Sequence, residues 1–263
     1  MVKALIKKQK QRLGLIAILD TSFLFTTSAL MIWHGSETPR LPVYLYSLMP
    51  YDVEIEWGKY ASILLQLFYI DLVVIARIQL DLVQYGFIQS IKIYIRIVEA
   101  NIGNCKQVFD AKATERALIK YSKIFELVQQ FNKIYRWPLL VIKGLDLLYI
   151  SLCAIAGFRK PPELPDSFSP AFVAGTCFIV FHTALVLHSM AMAYSESQLF
   201  IQRLMENIAL ATIFHEDLWQ KVNAVMAIEF QMGKLYVMRP ITFLTYFSVI
   251  MSNLIVVLQI KQI

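Results

Sequence analysis

Residues 168–193 read FSPAFVAGTCFIVFHTALVLHSMAMA, 26 consecutive positions without a Lys, Arg, Asp or Glu. A helix crosses the ~30 Å hydrocarbon core of a bilayer with roughly 20 residues. A buried helix of a soluble domain rarely runs so far without a charge, so the stretch reads as a membrane span. Four more spans lie outward from it. Leu13–Trp33 carries Asp20 as its one charge, and Tyr60–Ala76 carries Asp71, its helix running on to about residue 88. Leu139–Gly157 carries Lys143 and Asp146, whereas Pro240–Ile260 has no charge at all. The expected fold is an all-α polytopic membrane helix bundle.

Composition agrees. The 263 residues are 57% hydrophobic and 17% charged, with a mean hydropathy of +0.55. Soluble domains are typically about 45–50% apolar and about 25% charged. Disorder, collagen-like repeats and a small disulfide scaffold are excluded, and the balance is far from that of an ordinary cytosolic enzyme. The three cysteines, Cys105, Cys153 and Cys177, are too scattered for a disulfide framework or a metal knuckle. The net charge of +6 belongs to loops at the membrane rather than to nucleic-acid binding. The basic start (Lys3, Lys7, Lys8, Lys10, Arg12) precedes an apolar run longer than the h-region of a secretory leader, so a retained span is expected.

Lys and Arg set the orientation. Segments 1–12, 90–138 and 194–239 hold five, nine and four of the 25 basic residues. A cytoplasmic N-terminus and an extracellular C-terminus follow from that bias. The segment 34–59, with Pro39, Pro42, Pro50 and the acidic Asp52, Glu54 and Glu56, then lies outside. From Tyr60 to Asn101 there is no Pro and one Gly, Gly86, which predicts a helix of about 60 Å that continues into the cytoplasm. Ala111–Arg136 places Leu118, Tyr121, Phe125 and Val128 on one line, with Ile124, Phe131 and Tyr135 beside it. Ile201–Met238 also reads as mostly helical. These pieces are too long for connectors and are expected to pack on each other or on copies of themselves. Residues 1–200 thus form a membrane bundle with a cytoplasmic stalk and helix. Residues 201–263 supply a cytoplasmic anchor helix and the last span.

Charges inside spans need partners. Arg77 and Asp81 are four apart on one helix face, and Lys143 and Asp146 three apart, so each pair is expected to satisfy itself. Asp20 has no local partner and calls for snorkelling or a neighbouring helix. His182 and His188 are six apart and do not face one metal, and His215-Glu216-Asp217 lacks the second histidine of a zinc-protease motif. No phosphate-binding, nucleotide-binding, nucleophile-elbow or calcium motif is present. No catalysis, cofactor or metal is expected. The aromatics Trp33, Tyr44, Tyr46, Tyr51, Trp57 and Tyr60 read as an interfacial belt, with an apolar small-molecule pocket between helices as the alternative.

The last span holds the sharpest pattern, Ser252-Asn253 followed by Leu254–Leu258, Gln259 and Ile260. From Ser252, Gln259 lies about 700° on, equivalent to about −20°, so the two share a face that Ser248 and Thr245 continue. An uncharged polar stripe suits a pore wall, and it equally suits hydrogen bonding between helices. This segment resembles the insect gustatory receptors, of the insect gustatory and odorant chemoreceptor superfamily. Their last helix typically reads Thr-Tyr, five hydrophobic residues, then Gln-Phe. Here Ser252-Asn253 stands for Thr-Tyr, Gln259 matches, and Ile260 replaces Phe. Upstream, Phe230-Gln231-Met232-Gly233-Lys234-Leu235-Tyr236-Val237-Met238-Arg239 is similar to the stretch leading into that helix.

The resemblance implies a subunit of a ligand-gated cation channel in the plasma membrane, assembled as a homo- or hetero-tetramer in membrane lipid. Gln259, Ser252, Asn253 and Ser248 would line its pore. A small-molecule tastant would bind among the outer helix halves, for which Thr27, Tyr60, Tyr149 and Phe178 are the candidates. Aligned from the C-terminus, the five spans match the family's third to seventh, so the first two would be lacking. A non-channel scaffold or associating subunit is the alternative that this implies.

Overall fold

Apolar residues at helical spacing build four helices that are each longer than a bilayer is thick. In the computed structural model these are α1 (Val2–Glu37), α2 (Glu56–Gly103), α3 (Ala111–Arg159) and α4 (Phe168–Ala209). A short α5 (Glu216–Asn223), strands β1 (Gln231–Met232) and β2 (Tyr236–Val237), and α6 (Pro240–Gln259) complete the chain. The structure describes residues 2–37, 56–103, 110–159, 168–209, 211, 215–234 and 236–259. Asp71, Cys105, Trp57 and the belt tyrosines 44, 46 and 51 have side chains outside the described residues.

At 48, 49 and 42 residues, α2, α3 and α4 are roughly 60–75 Å long. All three exceed the ~30 Å of a bilayer core, and α2 has the length expected for it from Tyr60 to Asn101. α3 joins the expected 111–136 helix to the expected span without a break. It starts at Asp110, whose carboxylate accepts from the Lys112 and Ala113 amides at 2.9 and 3.1 Å, a helix N-cap. It also carries Pro138 internally. α6 opens on Pro240, where proline costs the helix no hydrogen bond, and its first turn closes from the Phe243 amide to the Arg239 carbonyl at 3.0 Å.

Polarity is inverted along the membrane stretch. Phe25, Leu64, Phe68, Val141 and Leu148 are exposed, while Asp20, Asp81, Lys143 and Asp146 are buried. Apolar outside and charge inside is the arrangement lipid demands. The four long helices are apolar enough to cross a bilayer, and α6 at 20 residues is about 30 Å long. The chain is a multi-pass membrane protein.

The largest apolar core lies in the helical extensions. Ile88, Ile91 and Ile95 of α2, Tyr121, Val128 and Phe131 of α3, Met190, Phe200 and Leu204 of α4 and Phe230 and Met238 are all buried there. The line expected from Leu118 to Tyr135 faces this core. The expected helix over 201–238 is overturned in part. Helix persists to Ala209, α5 follows, and then the chain forms an antiparallel ribbon pairing Gln231 with Val237 and Met232 with Tyr236. The physical reason is the burial of Ile228, Phe230 and Met232, alternate residues with period two rather than 3.6. Gly233, at φ +62°, then turns the chain.

Candidate functional site

At the membrane end of the helical extensions, polar side chains tie five helices together. Lys143 Nζ on α3 donates to Asp81 Oδ1 on α2 at 2.9 Å and lies 3.3 Å from Asp146 Oδ2 on its own helix. Arg77 on α2 reaches Asp146 Oδ1 at 2.5 Å, and its expected partner Asp81 is farther, at 3.9 Å. Thr183 of α4 donates to Asp146 at 2.6 Å. Tyr246 of α6 donates to the Lys143 carbonyl at 2.7 Å. One residue before Thr183, His182 meets Asp20 of α1 at 2.8 Å, which answers how Asp20 is accommodated.

The set of half-buried Arg77 and buried Lys143, Asp81 and Asp146 is neutral overall, so each carboxylate is taken out of water beside a cation. Spacing within each helix pointed to both pairs. The structure crosses them, and sequence reasoning missed the crossing along with Thr183 and Tyr246. It also missed Gln84, one turn along the Asp81 face of α2. Gln84 is 1% exposed, and neither of its amide atoms has a hydrogen-bond partner among the described residues.

Next to this belt the ribbon docks on α3. The Asn132 side chain donates to the Glu229 carbonyl at 2.7 Å and accepts from the Gln231 amide at 3.0 Å, behaving as a strand neighbour. The Gly233 amide donates to the Arg136 carbonyl at 2.7 Å, two residues before Pro138. Farther along, Tyr121 stacks on Phe200 and donates to the Met226 carbonyl, and Ser197 accepts from the Ile228 amide. Burial pushes the Tyr121 phenol up to about 12, although its hydrogen bonds pull the other way. α6 is therefore entered from a segment held by Asn132, Arg136, Tyr121 and Ser197.

α6 packs inward through Phe243, Tyr246, Phe247, Ile250 and Leu254, all buried or half-buried. Thr245, Ser248, Ser252, Asn253 and Gln259 are exposed. On a helical wheel, Thr245, Ser248 and Gln259 fall within about 40° of Ser252, whereas Phe243 and Ile250 fall about 160–180° away. Of the four candidate pocket residues, Phe178 stacks on Phe23 of α1 with centroids 4.0 Å apart. Thr27, one turn beyond Phe23, bonds the carbonyls of its own helix. Tyr60 and Tyr149 are exposed. The first two thus flank one α1–α4 seam.

Comparison with solved structures identifies this arrangement. The insect olfactory receptor OR5 of Machilis hrabei in complex with eugenol superposes with a TM-score of 0.70 at 17% identity, over 98% of this chain and 69% of that one. The fold is that of an insect olfactory receptor. A second structure of OR5 from the same species gives a TM-score of 0.58 at 13% identity, over 97% of this chain and 70% of the other. No family model and no curated protein sequence matches the chain.

Proposed function

We propose that this protein is a gustatory-receptor-like chemoreceptor, a subunit of a ligand-gated cation channel that responds to small-molecule tastants. One observation carries the reading: the polar stripe of α6 lies opposite its packing face and is exposed on the single chain. Hydroxyls and amides turned to hydrocarbon cost free energy. Copies of the chain around a water-filled axis give the same groups a favourable environment. Four subunits in the plasma membrane, with the N-terminus cytoplasmic and the C-terminus extracellular, place Gln259 and Ser252 on that axis, with Asn253 and Ser248 beside them. The receptor of like fold binds eugenol, a small molecule, which supports a ligand of that class here. Thr27 and Phe178 at the α1–α4 seam are the residues we assign to its site first, with Tyr60 and Tyr149 as outer contacts.

A ligand opens such a channel only by binding its open state more tightly than its closed one. The second reading is a scaffold subunit without a current of its own. Ser252-Asn253 in place of the family's Thr-Tyr favours it. Recording from cells that express this chain alone separates the two. A tastant-evoked cation current whose selectivity or gating changes with Gln259→Ala is expected. Absence of any current across a broad panel supports the scaffold.

A further inference from the structure

The first three turns of α1 carry charge that the fold leaves unanswered. Leu5, Gln9, Leu13 and Ile16 turn inward, and Gln9 is tied to α2 by bonds to the Gly86 carbonyl and Ser90 Oγ at 3.3 and 3.5 Å. That contact fixes the rotation of the helix. It leaves Lys3, Lys7 and Lys10, at i, i+4 and i+7, exposed along the opposite side, where with Ile6 and Gln11 they line a shallow open face. No acidic residue occurs before Asp20, and among the described residues none of the three lysines meets a carboxylate. Three cations deeper in the extensions do find carboxylates: Lys92 and Arg96 share Glu196, and Arg203 pairs with Glu99, whereas Lys8 and Arg12 on the flank of α1 are exposed like the three lysines.

Lys10 lies about 4.5 Å along the helix from Leu13, where the apolar run begins. The face therefore starts beside the apolar run at Lys10 and continues about 10 Å away from it to Lys3. Ile6, 42% exposed between the lysines, supplies an apolar contact on the same side.

From the unanswered charge, the fixed rotation and the position beside the apolar run, we infer that Lys3, Lys7 and Lys10 form a docking face for the headgroup of an anionic phospholipid. The lipid bridges the lysines and keeps its acyl chains beside α1. The face is separate from the α6 stripe and requires no channel activity.

The test uses the full chain purified in detergent and titrated with dioctanoyl phosphatidylinositol 4,5-bisphosphate or dioctanoyl phosphatidylcholine. Saturable binding of the anionic lipid, and none of the choline lipid, is expected. Each basic residue near a membrane surface is worth about 1 kcal/mol, a factor of about five. Lys3→Gln/Lys7→Gln/Lys10→Gln should therefore weaken binding on the order of 100-fold, and Lys7→Gln alone about five-fold, which keeps the test open if the triple variant does not fold. Replacing all three with Arg should retain binding. Lys120→Gln/Lys123→Gln/Lys133→Gln, which removes equal charge from exposed positions of α3, should leave it unchanged. The proposal is overturned if the α3 variant loses as much, if the choline lipid binds equally, or if inorganic phosphate at matched concentration displaces the lipid.

Discussion

The Tyr246 hydroxyl of α6 donates to the main-chain carbonyl of Lys143, 2.7 Å away on α3. The Lys143 side chain meanwhile holds Asp81 of α2. One residue thus connects the helix with the polar stripe to the buried charges of the bundle, through its backbone on one side and its ammonium on the other. Any tilt of α6 away from α3 must break this link, so its strength enters the equilibrium between packed and displaced positions of that helix.

Tyr246→Phe removes the hydroxyl and keeps the ring. A neutral hydrogen bond contributes about 1 kcal/mol net. The detergent-solubilised variant should lose about that much stability, and in the channel reading its tastant dose–response curve should move by up to about five-fold. A thermal scan and a dose–response recording check the two parts. An unchanged curve would remove the Tyr246–Lys143 link from the gating equilibrium while leaving its structural part intact.

The crossed charges make a sharper prediction. Lys143→Met leaves Asp81 buried without its cation, which typically costs about 3–5 kcal/mol. Lys143→Met/Asp81→Asn restores neutrality, because Arg77 still faces Asp146. The double variant should therefore be more stable than Lys143→Met alone, with a coupling of about 1–3 kcal/mol. Unfolding of the four proteins in detergent measures that coupling directly. Additive losses would mean that the 2.9 Å contact carries no net energy.

Much of this site was legible from spacing alone. The intervals 77–81 and 143–146 placed each pair on one helix face, and the two pairs meet at one level of the bundle. The exchange of partners between α2 and α3 was not legible, because the rotational phase of one helix against another is a property of packing. The same holds for Asp20 and His182, which are 162 residues apart in sequence and 2.8 Å apart in space. The ribbon is a different case. Ile228, Phe230 and Met232 display a strand's alternation in plain sequence, yet Ile201–Leu218 upstream has a helical pattern strong enough to absorb them into one long reading. The direction in which the α6 stripe points needed the positions of Phe243 and Ile250, since periodicity fixes a face and says nothing of what lies opposite.

Gly233 tests the docking of that ribbon. Its φ of +62° is strained for any residue with a β-carbon, and a β-carbon there would stand 2.7 Å from Leu140 Cδ2 on α3. Gly233→Ala should cost about 1–3 kcal/mol and lengthen the Gly233–Arg136 bond. Faster amide exchange at Gly233 and Gln231, together with lower thermal stability, is the expected result. Adding Leu140→Ala relieves the clash without relieving the backbone, so it should not restore the exchange protection at Gly233. Full restoration would assign the whole effect to the side-chain contact.

Tyr121 supplies a pH window for the packing of α3 on α4. Its folded-state value is raised from the ordinary 10 to about 12, chiefly by burial between α3 and α4. Between those values the unfolded chain has released a proton that the folded chain still holds. The contribution of this group to stability is therefore complete below pH 10 and falls as the pH rises toward 12, by at most roughly 2–3 kcal/mol. Tyr121→Phe keeps the stacking on Phe200, loses the bond to the Met226 carbonyl, and should flatten that part of the pH dependence. Subtracting its phenolate absorbance titration from that of the parent protein isolates the one tyrosine. A midpoint for Tyr121 near 10 in the folded protein would show that water reaches the hydroxyl, and that the ribbon does not seal the seam between α3 and α4.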